Sequence, residues 1–205
     1  MTKVKFTKGE LKRQRDALKQ FQRYLPTLQL KKQQLQLEIL QQSLVLKDKK
    51  QALAKKKQAI YTWVNLLADP QVDLKLFLKP KNTITHPKNI AGIDIAVFDT
   101  VEFTETEYDL FVMPLWLDLA IEAFKELISL NKSILVTEES ISILRHELRI
   151  TTQRVNLFEK VKIPDAEENI RLIKIYIGDQ MANAVGRSKI AKKKIEEFIL
   201  EEAIA

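Results

Sequence analysis

Residues 10–68 read ELKRQRDALKQFQRYLPTLQLKKQQLQLEILQQSLVLKDKKQALAKKKQAIYTWVNLLA, and no glycine interrupts the chain from Glu10 to Ala91. Leucine, lysine, glutamine and alanine dominate the stretch, and all four favour helix. Stepping by seven from Leu11 meets Leu18, Leu25, Lys32, Ile39, Leu46, Leu53, Ile60 and Leu67, so only Lys32 breaks the apolar series. Three residues further on, Phe21, Leu28, Leu35 and Trp63 are apolar, whereas Gln14, Gln42, Lys49 and Lys56 are not. A strict repeat of seven predicts a left-handed coiled coil with a narrow seam, and at a rise of about 1.5 Å per residue its helix would extend roughly 85 Å. Thr7 followed by Glu10 supplies a capping-box start, Asp69-Pro70 predicts an end near Ala68, and Pro26 predicts a bend that leaves the register intact.

The C-terminal part has the same period. Ile141, Leu148 and Val155 are spaced by seven, and a second register runs through Ile163, Ile170, Ile177, Ala184, Ala191 and Phe198. The step from Val155 to Ile163 is eight, and Pro164 stands at the join, so a kinked helix with a register adjustment is expected there. Near the end Met181, Ala182, Ala184, Gly186, Ser188 and Ala191 make a thin helix that another surface could approach closely.

Two such helices pair antiparallel only if the segment between them reverses direction. Residues 70–89 hold Pro70, Pro80 and Pro87 and read as a connector without periodicity. Short alternation in Asn89–Phe98 and Thr100–Phe103 predicts a small β-hairpin within 89–112, and helix resumes at Leu115–Phe124. The expected fold is mainly α: a long antiparallel two-helix coiled coil with a small middle region containing a short β-hairpin and a short helix. Its parts are residues 1–68, a connector and hairpin region at 69–113, and a C-terminal helical region at 114–205.

The 205 residues include no cysteine, which excludes a disulfide scaffold and a thiolate metal site. No run of eighteen apolar residues occurs and Met1–Glu10 lacks the apolar core of a signal peptide, so a cytosolic, soluble protein is expected. The net charge of +7 divides unevenly: residues 1–81 carry 19 Lys and Arg against 6 Asp and Glu, whereas residues 82–205 carry 15 against 21. Halves of opposite sign that pack together use up much of the basic signal that would otherwise point to nucleic acid.

Residues able to do chemistry are not grouped. Gly9, Gly92, Gly178 and Gly186 are too far apart to form a phosphate nest, so no nucleotide cofactor is expected. His86 and His146 lack a second ligand at three or four residues' distance, so no metal is expected. Glu138-Glu139, Glu167-Glu168 and Glu201-Glu202 are adjacent pairs that point to different helix faces, unsuited to sharing a substrate. No catalytic, cofactor-binding or metal-ligating residue is therefore assigned. The basic run from Lys47 through Lys49 and Lys50 to Lys55–Lys57 has Leu46, Leu53 and Ile60 threaded through it and no aromatic platform. It reads as a solvated face or a contact for an acidic protein, with a nucleic-acid patch as the alternative.

Three stretches resemble the family of D subunits, the central-stalk rotor of the V-type and A-type rotary ATPases. They are Lys5–Arg13 with the long helix behind it, Asn89–Val97 followed by Leu117–Phe124, and Thr152-Gln-Arg-Val-Asn-Leu-Phe-Glu159 with Ile163-Pro164. The last is the most specific, with its Arg154-Val155-Asn156 core; Leu157-Phe158-Glu159 stands where the family commonly has Ala-Leu-Glu. The resemblance implies a non-catalytic shaft that couples ATP hydrolysis or synthesis to proton or sodium translocation. Its implied neighbours are the catalytic and non-catalytic subunits A and B of a hexamer, the F subunit of the stalk and the subunit joining shaft to membrane ring, with no nucleic acid contacted and no insertion into the membrane. The implied location is cytoplasmic, peripheral to a membrane through the complex. A cytosolic basic coiled-coil adaptor or nucleic-acid-associated protein is the alternative reading.

Overall fold

The computed structural model describes residues 5–64, 74, 77–104 and 113–204, the side chains of Phe198 and of residues 200–204 excepted. Helix α1 spans Lys8–Tyr61, a hairpin of β1 (Pro80–Ile90) and β2 (Ile93–Phe103) follows, and α2 (Leu117–Leu157) leads through a π-helical segment (Phe158–Lys162) into α3 (Ile163–Ile204). The chain divides into two compact units, residues 30–151 and residues 1–29 with 152–205.

The start of α1 is set as its sequence predicts: the Glu10 N–H donates to Thr7 Oγ1 at 3.2 Å, and the Leu11 N–H to the Thr7 carbonyl at 3.0 Å. Pro26 lies inside the helix, which continues through it. The Thr27 hydroxyl donates to the Tyr24 carbonyl at 2.7 Å beside the donor that proline lacks. At the other end α1 stops at Tyr61, where the Trp63 N–H bonds the Ile60 carbonyl at 3.1 Å and the Thr62 hydroxyl that of Ala59 at 2.7 Å. Ala68, the expected end, lies outside the described residues.

In the larger unit, α1 from Leu30 and α2 to Thr151 run antiparallel. Leu35 packs with Leu144, Lys49 meets Thr137, and the Trp63 ring stands edge-on to Phe124 with centroids 6.1 Å apart. Leu35, Ile95 and Leu144 form a dry cluster, each 2% exposed or less, on which Ile39, Leu148 and the hairpin end Ile90–Ile93 pack. Leu46 and Leu53, expected in the seam, are half-buried. A second cluster, Phe77, Leu117 and Ile121, seals the start of α2 with Leu74, Met113 and Trp116 against it. The helix expected at Leu115–Phe124 is the beginning of α2 and runs on for 41 residues.

The hairpin corrects the sequence reading. It occupies residues 80–103, and residues expected to form a connector make up β1. Every β1 residue from Pro80 to Asn89 is exposed, so no apolar period marks the strand. Backbone pairing to β2 holds it, while β2 buries Ile95 and Val101. Ile90 pairs with Ile93 across the two-residue turn Ala91-Gly92, whose φ angles of 53° and 79° are those of a tight hairpin turn with the right twist. Alanine is an unusual occupant of that conformation; here Ala91 packs against the Leu35 cluster. Asn89 completes the turn by accepting the Gly92 N–H at 3.1 Å and donating to Asp94 at 2.6 Å.

In the smaller unit the first part of α1 and the helix after Thr151 are also antiparallel: Phe6 lies 5.2 Å from Tyr176 and Phe21 5.4 Å from Phe158, centroid to centroid. Phe158, in the stretch that departs from the family pattern, thus has an aromatic partner. Val155, Ala166, Ile170 and Ile173 are buried. The register adjustment expected between Val155 and Ile163 is the π-helical segment, in which the Ile163 N–H reaches back five residues to the Phe158 carbonyl. A turn with one residue too many absorbs the step of eight, directly before the proline that could not have donated to Lys160.

Truncating the fully buried Leu35 to Ala should lower unfolding free energy by about 2–5 kcal/mol, and the half-buried Leu53 to Ala by less than half of that, as read by denaturant unfolding. Gly92→Ala places a methyl at φ 79° and should cost about 1–2 kcal/mol, with faster amide exchange in β1 and β2 than in the parent.

Candidate functional site

Two surfaces stand out among the described residues, one in each unit. In the larger unit the α1 seam positions Lys32, Leu35, Ile39, Gln42, Leu46, Lys49 and Leu53 are all turned at least partly from water. α2 meets them with Ser133, Ile134, Thr137, Ser140, Ile141, Leu144 and Thr151, all buried. Four of these seven are hydroxyls, which sequence reasoning missed. Their signal was present: Ser133 and Ser140, and likewise Thr137, Leu144 and Thr151, fall seven apart and therefore share the seam.

Each hydroxyl given a partner here ties elements together. The Thr137 hydroxyl donates to the Ser133 carbonyl at 2.7 Å and accepts from Lys49 Nζ at 3.0 Å. The Ser140 hydroxyl donates across to the Ala96 carbonyl of β2 at 2.7 Å, fastening the hairpin to α2. Burial holds the Lys49 ammonium below its ordinary pKa. Among the described residues Lys49 has no carboxylate partner, so a neutral hydroxyl alone receives it.

The basic run of α1 is engaged in part within this unit, while Lys47, Lys55 and Lys57 are exposed. Lys50 pairs with Glu138 at 2.6 Å, Lys56 pairs with Glu126, and Lys49 turns inward. Lys88 of β1 lies 3.8 Å from Glu38, and Lys125 stands 5.7 Å from the Phe103 ring centroid. Glu102 is exposed on β2.

The two histidines stay apart. His86, expected in a loop, sits on β1, and its Nδ1 lies 2.8 Å from Asp99, the residue skipped where the strand register shifts; His146 is exposed on α2. Glu168 belongs to a bidentate pair with Arg171 at 2.7 and 2.8 Å, and those hydrogen bonds hold its carboxyl below the ordinary value. No group of three His, Asp or Glu that could hold a metal occurs among the described residues.

In the smaller unit the surface of interest is the later part of α3. From Gly178 to Glu197 every residue but Gly186 is exposed, and Met181, Val185, Ile190, Ile195 and Ile199 are 56–61% exposed. Met181, Ala184, Val185, Ser188, Ala191, Ile195 and Ile199 share one face at about 100° per residue. A methyl added at Gly178 or Gly186 would meet nothing within 4 Å, so neither glycine serves a contact within the described residues.

The sequence matches the family described as the D subunit of ATP synthase over residues 10–193. It is 44% identical over 195 residues to a Borreliella burgdorferi protein named as the D subunit of V-type ATP synthase, covering 95% of this chain and 96% of that protein. Proteins of the same name from Chlamydia pneumoniae and Chlamydia muridarum are 32% and 30% identical, over 94% and 96% of this chain and 93% and 98% of their own lengths.

Lys49 provides a pH test of the polar seam. Its folded-state pKa is depressed, so its charge opposes folding at neutral pH; as pH rises toward the ordinary value of 10.5 the folded chain releases the proton first and that cost disappears. Lys49→Met should therefore melt no lower than the parent at pH 7, and its advantage should shrink between pH 7 and pH 10. An advantage equal at both pH values would show that the ammonium is not its source.

Proposed function

Because this chain belongs to the ATP synthase D-subunit family, as its match over residues 10–193 establishes, we propose that it is the non-catalytic central shaft of a V-type or A-type rotary ATPase. The observation that carries the reading is full-length kinship to D subunits of V-type ATP synthases, joined to antiparallel helix pairs in both units. It is a stalk subunit. Its work in this reading is mechanical: an asymmetric shaft inside a ring of alternating subunits favours a different conformation at each catalytic site, so rotation and nucleotide occupancy become coupled free energies.

The finer roles follow from the surfaces. The later part of α3, with an apolar face and no covering element among the described residues, fits the inside of the hexamer of catalytic and non-catalytic subunits A and B. The hairpin region faces the F subunit of the stalk or the subunit joining shaft to membrane ring. No described helix is long and apolar enough to cross a membrane, which supports a peripheral cytoplasmic position held through partners. The nucleic-acid-associated alternative is weakened, since three of the six lysines of the basic run, Lys49, Lys50 and Lys56, are engaged within the chain.

The chain should co-purify with the ATPase hexamer at high salt, whereas phosphate-driven binding would fall steeply as salt rises. Removing residues from Lys192 onward should leave the hairpin region folded, as read by amide exchange, and should lower ion transport per ATP hydrolysed in the reconstituted complex. Full transport per ATP after the deletion would show that this end of α3 is dispensable for torque.

A further inference from the structure

Along its length the β-hairpin meets the helices of the larger unit in two different ways. Near its turn, Ile90, Ala91, Ile93 and Ile95 pack with Leu35 and Leu144, and the Ser140 hydroxyl holds the Ala96 carbonyl. Toward its open end β2 carries two large rings, Phe98 and Phe103, and the helices opposite present small side chains, Ala52 on α1 and Ser129 and Ser133 on α2. Small residues facing large ones leave a gap. It is a cavity of about 480 Å³ between β2 and the two helices, open to solvent on one side. That volume falls within the range of small-molecule sites.

The lining divides by chemistry. Phe98, Val101 and Phe103 of β2 and Leu130 of α2 form apolar walls. Lys125 and Ser129 stand four apart on α2, so they share one side of the helix about one turn from each other, and both line the gap. The Ser129 hydroxyl donates to no group among the described residues. The two ammonium groups at the cavity differ in their partners: Lys56 is neutralised by Glu126, whereas Lys125 has no carboxylate among the described residues and stands over the Phe103 ring, 5.7 Å from its centroid. The cavity therefore carries an uncompensated positive charge beside an apolar wall.

We infer that this cavity binds a small apolar monocarboxylate of the fatty-acid type, its carboxylate on Lys125 Nζ and the Ser129 hydroxyl and its chain against Phe98, Val101 and Leu130. A cationic ligand would find no free acid, since Glu126 is taken by Lys56. An inorganic anion would leave the apolar walls in water, and a neutral hydrocarbon would leave Lys125 without a counter-charge, so the two features together select an amphiphile. The bound chain would brace the open end of the hairpin against the helices, where side-chain packing is thin. The inference needs no partner subunit and stands apart from the stalk reading.

The test titrates octanoate into the full chain with isotope-labelled methyl groups and follows Val101 and Leu130 by NMR. Their shifts should saturate with a dissociation constant on the order of 1 mM or tighter, while the methyls of the exposed Leu37 and Ile195 stay in place. Octanol, the same chain without the charge, and inorganic phosphate, a charge without the chain, should each bind about tenfold more weakly or worse. Lys125→Gln should weaken octanoate binding about tenfold and leave octanol binding as it was. Absence of a saturable shift at Val101 and Leu130 overturns the inference, as does equal affinity for octanoate and either control, or an octanoate affinity that Lys125→Gln leaves unchanged. Movement of Leu37 and Ile195 over the same octanoate range overturns it too, in favour of unspecific coating of apolar surface. Should the variant fold poorly, the comparison of octanoate with octanol and phosphate on the parent decides the question alone.

Discussion

A helix that buries only one narrow stripe has no core of its own, and this constraint governs the molecule. A helix this rich in lysine and glutamine gains little by collapsing on itself, so its order depends on a partner helix presenting the same period from the opposite direction. Seven-residue spacing in both helices makes that possible, and antiparallel pairing places the basic run of α1 beside acids of α2. The pairs Lys50–Glu138 and Lys56–Glu126 are exposed and individually weak, so they align the helices more than they stabilise them. What stabilises is the short dry centre at Leu35, Ile95 and Leu144, where a strand contributes to the seam.

The polar character of the seam follows from the same constraint. A continuous leucine seam would be indifferent to sliding by one heptad. Lys49 opposite Thr137, and Ser140 tied to the Ala96 carbonyl, match in one register only, because any slip leaves an ammonium or a hydroxyl without its partner. Stability is surrendered at these layers and alignment is gained. For a chain whose task is to transmit a twist, fixed alignment is the more useful property.

How much could be read from the residues depended on where burial leaves its mark. The seam was legible because Leu11 to Ile60 repeat by seven and the structure turns those positions inward; Ile141 and Val155 were legible for the same reason. The step of eight before Ile163 announced a register adjustment, and the π-helical turn is its physical form. β1 was hidden because a strand exposed on both faces has no apolar alternation, and its prolines argue for a loop. Only its partner strand, with Ile93, Ile95 and Val97 alternating, gave a signal, and the pairing that extends it back to Pro80 is backbone chemistry that side chains do not report. The buried hydroxyls escaped notice because Ser and Thr at seam positions look like surface residues until the cation facing them is known.

The π-helical segment also bears on how this chain compares with its relatives. In a heptad seam each inserted residue would rotate everything after it by about 100° and bring Lys162, Asn169 and Tyr176 to the positions now held by Ile163, Ile170 and Ile177 if the helix stayed regular. The widened turn prevents this by storing the surplus residue locally, so the seam on either side keeps its apolar content. Chain length is thus elastic at one place and rigid elsewhere. A homologue one residue shorter between Val155 and Ile163 would pass this point as an unbroken α-helix and keep the same seam, so a gap in an alignment here records a change of helical geometry while the packing on both sides stays as it was.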